Sequence, residues 1–231
     1  METTALLDHC AKRVPIFHSL SEEEIKKVTN MVKHKHFKKG QPLLHEGEKS
    51  DTLFIIHSGK VKLSKLTIYG KEQILHLLTN GDFFGEMNLF HEEEANNFSA
   101  FAMEDTKICL LTKKDIDKMM MANPDISVKL LKTITKRLSH TEDLAQLLAT
   151  KDPEIRIAYL LVEFCEKFGS TKENGTLIDL PITREEISSY LGLTRETISR
   201  KLSKFAELGL ITLIGNKQIF IKDLNVFKEW G

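Results

Sequence analysis

The sequence predicts an α+β chain in three parts: an N-terminal helix with a β-roll (1–120), a long helix (121–150) and a C-terminal winged helix-turn-helix (151–231). Three observations predict it. Between residues 37 and 112, short apolar runs are punctuated by Gly47, Gly59, Gly70, Gly81 and Gly85, the first four spaced 12, 11 and 11 apart. After Asn123-Pro124, apolar or small residues recur at Ile126, Leu130, Ile134, Leu138, Thr141, Ala145 and Leu148. Residues 183 to 208 then read TREEISSYLGLTRETISRKLSKFAEL, two capped amphipathic helices joined by a glycine.

Each element follows in order. Leu20, Ile25, Val28 and Val32 have helical spacing, and Ser21 with Glu24 makes a capping box. Residues 52–64 read as strand, turn and strand, and residues 73–78 and 107–112 add further strands, so even turn spacing predicts a small roll. The run from Ile126 to Leu148 has near-heptad steps and is expected to pair with a copy of itself, although a helix packed on the roll would show much the same stripe. Asp152-Pro153 marks a hinge.

In the C-terminal part, Thr183 caps a first helix with acids in its opening turn, and Gly192 ends it. Thr194 caps a second, whose apolar stripe Ile198, Leu202, Phe205 and Leu208 leaves Arg195, Glu196, Ser199, Arg200 and Lys204 on other faces. Residues 208–221 read as strand, Gly-Asn turn and strand, with Lys217 at the tip. A helix-turn-helix followed by such a hairpin is a winged helix, a module that docks on double-stranded DNA.

Composition bounds the rest. Formal net charge is zero, and residues 151–231 hold 12 Lys and Arg against 12 Asp and Glu. The positive excess is local: Arg195, Arg200, Lys201 and Lys204 against Glu196 alone between Thr194 and Lys204. No apolar run approaches the roughly 18 residues of a membrane span, and the first residues lack a secretory core, so a cytoplasmic protein is expected. The three cysteines, Cys10, Cys109 and Cys165, are too widely spaced for a disulfide framework or a metal knuckle. Cys165, beside Leu161, Val162 and Phe168, reads as core. His34 and His36, among four lysines, read as solvated surface, and no metal site is expected. No catalytic motif emerges, so the chain is not expected to be an enzyme.

Gly81-Asp82-Phe83-Phe84-Gly85-Glu86, the 182–187 segment ITREEI and the 193–200 segment LTRETISR together resemble the CRP/FNR family of bacterial transcription regulators, over nearly the whole chain. The resemblance is to FNR-like or arginine-deiminase-type members without an iron-sulfur cysteine cluster. It implies a cyclic-nucleotide-binding-like roll, a dimerisation helix, and a homodimer that binds a palindromic promoter site and contacts RNA polymerase. Arg195, Glu196, Ser199 and Arg200 match the base-reading positions; Thr194, Thr197, Lys204 and Lys217 complete the expected DNA contacts. Arg suits guanine O6 and N7, and Glu suits cytosine N4, each pair giving about 1–3 kcal/mol of discrimination. A half-site containing TGA is expected, TGTGA-like because of Arg195.

The resemblance also marks Gly85, Glu86, Met87, Ser99 and Thr141 as a candidate effector pocket. In cyclic-AMP-responsive relatives an Arg precedes the Ser and holds the phosphate; here Phe98 precedes Ser99, and no Lys or Arg occurs between Lys71 and Lys107. The missing charge argues against cyclic AMP, and Glu86 is expected to be structural, accepting bonds from roll backbone amides. An iron-sulfur cluster needs four thiolates, more than this chain offers at the matching positions. Cys10 and Cys109 do match the two ends that such a cluster bridges, so they form a candidate redox pair. The alternative reading is a regulatory module whose roll binds a small ligand such as a cyclic nucleotide and whose C-terminal domain contacts a protein.

Overall fold

The computed structural model describes Phe17, residues 20–90 and residues 95–230. It divides into two compact units, one ending at Leu138 and the other beginning at Ser139.

The first unit opens with helix α1 (Glu22–Met31). Ser21 Oγ accepts from the Glu24 N–H, and the Glu24 carboxylate accepts from the Ser21 N–H, completing the expected capping box. The helix is shorter than the apolar spacing from Leu20 to Val32, because Ser21 caps it from an extended conformation and Val32, also extended, leads into a strand. Strands β1 (Lys33–Phe37), β2 (Pro42–Leu44), β3 (Thr52–Ser58), β4 (Val61–Leu66), β5 (Glu72–Leu78), β6 (Phe83–Phe84), β7 (Ser99–Ala102) and β8 (Thr106–Thr112) follow, with the short helix α2 (Met87–Phe90) after β6. They form two four-stranded sheets, ordered β1-β8-β3-β6 and β2-β7-β4-β5.

Helices α3 (Lys113–Ala122) and α4 (Pro124–Ala149) come next. The period of two along β3 explains why its central residues are all buried. Phe54 and Ile56 face the roll interior with Phe37, Val61, Leu63, Phe84 and Ile108. Leu53 and Ile55 face the other way, joining Ile25 and Val28 of α1, Ile116 and Met119 of α3, and Ile126 and Leu130 of α4. Gly59 turns β3 into β4 at φ +108°; a Cβ there would stand 2.8 Å from the Thr106 Cα, so the turn closes only around glycine.

The stripe read along α4 therefore needs correction. Ile126 and Leu130 are buried in the first unit's core and Ile134 packs against it, so these members of the expected self-pairing seam are occupied within one chain. The large apolar residues left exposed are Val128 (49%), Leu131 (61%) and Leu138 (57%), with the heptad continuing through exposed Thr135, Glu142 and Ala145. The two stripes share Leu138 and Ala145 and part toward the start of α4, where burial separates Ile126 and Leu130 from Val128 and Leu131.

The second unit contains the end of α4, then α5 (Pro153–Phe168), β9 (Gly169–Lys172), β10 (Gly175–Asp179), α6 (Arg184–Leu191), α7 (Arg195–Glu207), β11 (Ile211–Ile214), β12 (Gln218–Ile221) and α8 (Asn225–Lys228). Asp152 caps α5, accepting from the Glu154 N–H at 2.7 Å, with Pro153 at the first helical position. The sheet runs β11-β12-β10-β9 and is antiparallel throughout. Tyr190, Ile198, Phe205 and Phe227 lie in its core at 0–1% exposure. Cys165 is a free buried thiol, which burial pushes up to about 11. Among the described residues no helix is long and apolar enough to cross a membrane, and no cluster of His, Cys, Asp and Glu is suited to a metal ion.

Candidate DNA interface and effector site

The reading head is built by three local devices. Thr183 and Glu186 close a capping box at the start of α6, the hydroxyl accepting from the Glu186 N–H at 3.2 Å and the carboxylate accepting from the Thr183 N–H at 3.0 Å. Gly192 ends the helix in the left-handed region, φ 61° and ψ 37°, which reverses the chain where a Cβ-bearing residue is strained. Thr194 then caps α7, its hydroxyl accepting from the Thr197 N–H at 3.2 Å. Ile198, Leu202 and Phe205 are buried, and this fixes which face of α7 is turned outward.

That outward face carries Thr194, Arg195, Glu196 and Arg200, all exposed, with Thr197 and Ser199 half-buried beside them. Arg184, from the first turn of α6, donates from Nη1 to Ser199 Oγ at 3.3 Å. Ser199 therefore has a cation at its side, which sequence reasoning did not assign to the site. Lys204 is half exposed and paired: its Nζ lies 2.8 Å from Glu154 Oε1, which also binds Lys201 Nζ at 2.5 Å. Those hydrogen bonds, Lys201 first and Lys204 second, hold the Glu154 carboxyl below its ordinary range. The local positive excess is thus smaller than the sequence count, because Glu154, at the start of α5, neutralises one end of it.

The wing is the β11–β12 hairpin. Gly215 turns it at φ +58°, exposed Lys217 stands at the tip, and the Lys217 carbonyl accepts from the Leu180 N–H at 2.8 Å. Gln218 Nε2 donates to Asp179 Oδ1 at 2.6 Å, tying the hairpin to β10. The β9–β10 pair that widens the sheet was missed in the sequence; its signal is the Asn174-Gly175 turn just before the β-favouring run Thr176-Leu177-Ile178.

In the roll, Gly85 adopts φ 87° and presents Glu86. The carboxylate does not accept from roll backbone amides as expected. Its Oε1 accepts from Arg137 Nη1 of α4 at 2.5 Å, while Arg137 Nη2 donates to the Phe83 carbonyl at 2.5 Å and the guanidinium lies over the Phe83 ring at 5.3 Å. Local sequence carried no signal for this partner, since Arg137 lies 51 residues away. Glu86 Oε2 is buried with no hydrogen-bond partner among the described residues.

Phe98 packs against the roll interior, edge-on to Phe84 at 6.4 Å, with Phe84 stacked on Phe54 at 4.8 Å. Ser99 Oγ accepts from the Glu46 N–H at 3.0 Å. Met87 is exposed, and Thr141 belongs to the second unit. A cyclic nucleotide would need Glu86 for its ribose and a cation for its phosphate. Here the carboxylate already holds Arg137, and an aromatic ring stands in place of the cation, so these residues do not suit it.

Cys109 is a disulfide sulfur and lies in the layer between sheet and helices, with His34 Nδ1 at 3.6 Å across the β1–β8 ladder. Burial lowers the His34 pKa from its ordinary value. Cys10, the other member of the expected redox pair, lies outside the described residues.

Residues 34–123 match the family model of the cyclic nucleotide-binding domain, and residues 155–230 match that of the Crp-like helix-turn-helix domain. The chain is 32% identical over 219 residues to the CRP-like cAMP-activated global transcriptional regulator of Mycobacterium tuberculosis, covering 94% of this chain and 96% of that protein. It is 28% identical to the transcriptional activator protein FnrL of Cereibacter sphaeroides, covering 96% and 91%. Among solved structures, FixK2 from Bradyrhizobium japonicum is similar with a TM-score of 0.75 at 26% identity, covering 86% of this chain and 96% of that one. With both family domains matched in this chain and 32% identity to a CRP-like regulator over 94% of its length, the chain belongs to the CRP/FNR family of transcription regulators.

Proposed function

We propose that the chain regulates transcription as a homodimer bound to a palindromic, TGA-containing promoter site, TGTGA-like in each half. The outward face of α7 carries this reading: Arg195, Glu196 and Arg200 are exposed while the opposite face is locked by Ile198, Leu202 and Phe205. Arg195, Glu196, Ser199 and Arg200 read base edges; Thr194, Thr197, Lys204 and Lys217 hold backbone phosphates. The exposed heptad stripe through Val128, Leu131 and Leu138 supplies the self-pairing surface. Two copies then present two recognition helices to two half-sites, and RNA polymerase is the partner on which the bound dimer acts.

For the input, the occupied Glu86 and the Phe98 ring argue against a cyclic nucleotide. The disulfide state of Cys109 favours thiol oxidation, with Cys10 as its partner, over ligand binding as the signal. Genome-wide DNA-affinity sequencing with and without oxidant and cyclic AMP tests all of this together. A dyad lacking TGA overturns the operator, a response to cyclic AMP overturns the sensor reading, and failure to select any sequence overturns the function.

A further inference from the structure

We infer that α5 is a rigid coupler, and that Arg156 and Glu163 on it are the residues that set the orientation of the reading head relative to the end of α4. The inference rests on the DNA-reading function proposed above. Arg156 spends its guanidinium on backbone carbonyls of two different helix ends. Toward the end of α4, Nη2 donates to the Leu148 carbonyl at 3.0 Å and, with Nε, to the Thr150 carbonyl. Toward the end of α6, Nη1 donates to the carbonyls of Leu191 at 2.9 Å and Gly192 at 3.4 Å. Both are helix C-termini, where the last carbonyls lack intrahelical donors and carry the negative end of the helix dipole, so one planar cation satisfies both.

Glu163 repeats the arrangement seven residues further on, two turns along the same helix face. From α4, His140 Nε2 lies 3.2 Å from its Oε1; from α6, the Tyr190 hydroxyl donates to Oε2 at 2.9 Å. Lys167, on α5 itself, adds a bond of 2.8 Å. Glu163 and Tyr190 are both buried. Two side chains of α5 with opposite charge thus each bind both α4 or its C-terminal end and α6 or its C-terminal end. Apolar contacts tolerate sliding by a rotamer change, whereas hydrogen bonds lose most of their strength with modest misalignment, so two polar ties fix the register among the three helices. Because α6 leads through Gly192 directly into α7, a register fixed at α6 is a register fixed for the recognition helix.

The test uses the full chain, with encoded spin labels at exposed Gln146 and Ser203 and dilution with unlabelled chain. Distance distributions are measured for the wild type, Arg156→Met, Arg156→Lys and Tyr190→Phe, beside affinities for the selected operator and for unrelated DNA. The wild type gives one narrow distribution. Arg156→Met broadens it and weakens operator binding by about 2- to 30-fold, with affinity for unrelated DNA changed by less than about twofold. Arg156→Lys restores part of the narrowing, since an ammonium reaches one helix end but cannot fork across both. Should Arg156→Met fail to fold, Tyr190→Phe, which keeps the buried ring and removes one tie, carries the same expectation. A distribution as narrow as the wild type's in a folded variant, or equal loss of both affinities, overturns the coupler. A wild type that is narrow yet selects no operator overturns the DNA-reading function and leaves the coupler standing.

Discussion

Arg137 Nη1 binds Glu86 Oε1 at 2.5 Å, joining α4 to the turn that follows β6. Only 18% of the Arg137 side chain and 14% of the Glu86 side chain are exposed, so solvent competes weakly with the pair. Removing one partner leaves a mostly buried charge unmatched. Arg137→Met is expected to lower stability by about 1–3 kcal/mol, and Glu86→Gln by less, because the amide still accepts from the guanidinium. Urea denaturation measures both. In the same assay cyclic AMP should leave the wild-type midpoint unchanged; a rise at saturating nucleotide would show that the carboxylate releases Arg137 to a ligand.

The corrected seam on α4 separates association from folding. Leu131→Lys, on the exposed stripe, is expected to shift the chain from dimer to monomer in sedimentation with little effect on thermal stability at high salt. Leu130→Ala, one residue away but 3% exposed, should cost about 2–5 kcal/mol of stability. If Leu130→Ala abolishes association without loss of stability, the assignment of the two faces is reversed.

The proposed DNA contacts divide by what each is expected to read. Arg195→Ala and Arg200→Ala should each lose about 1–3 kcal/mol on the operator and tolerate a changed guanine better than the wild type. Lys217→Ala should weaken binding to all sequences alike and reduce the salt slope by about one. Lys204→Ala should do less, because its ammonium is already shared with Glu154. Titrations across salt concentrations on matched and mutated operators distinguish these outcomes.

Glu163 makes the second unit acid-sensitive. Burial by itself would raise its pKa, but the His140 hydrogen bond and the nearby Lys167 outweigh that and hold it at about 2, below an ordinary value of 4.5. A carboxyl depressed on folding contributes stability that is fully present above the unfolded pKa. That contribution is lost as pH falls from about 4.5 toward 2. Glu163→Gln should flatten the pH dependence of unfolding in that window, and an unchanged slope would show that other carboxyls control it.

Much of this was legible in sequence because it is local. Capping at Ser21, Thr183 and Thr194 uses groups three residues apart, and left-handed glycines at Gly59 and Gly192 announce turns whatever lies around them. Periodicity in α7 identified Ile198, Leu202 and Phe205 as buried and so the outward Arg195, Glu196 and Arg200, but Leu208, read in the same stripe, caps the helix end and is 60% exposed. The β9–β10 pair escaped because its strands are short and β9 is wholly exposed, leaving no alternation to read.

By itself, then, the sequence determined the order of elements, their caps and turns, the outward face of α7, and that an aromatic residue, Phe98, precedes Ser99. Each depends on neighbours within a few residues along the chain. Only the tertiary structure decided that Glu86 is held by Arg137, that Lys204 is shared with Glu154, that Ile126 and Leu130 face a core while Leu131 and Leu138 face outward, and that Arg156 and Glu163 bind α4 to α6. The physical reason is common to all four. A charge finds its partner, and an apolar stripe its cover, through distances in space that helical or strand periodicity does not encode.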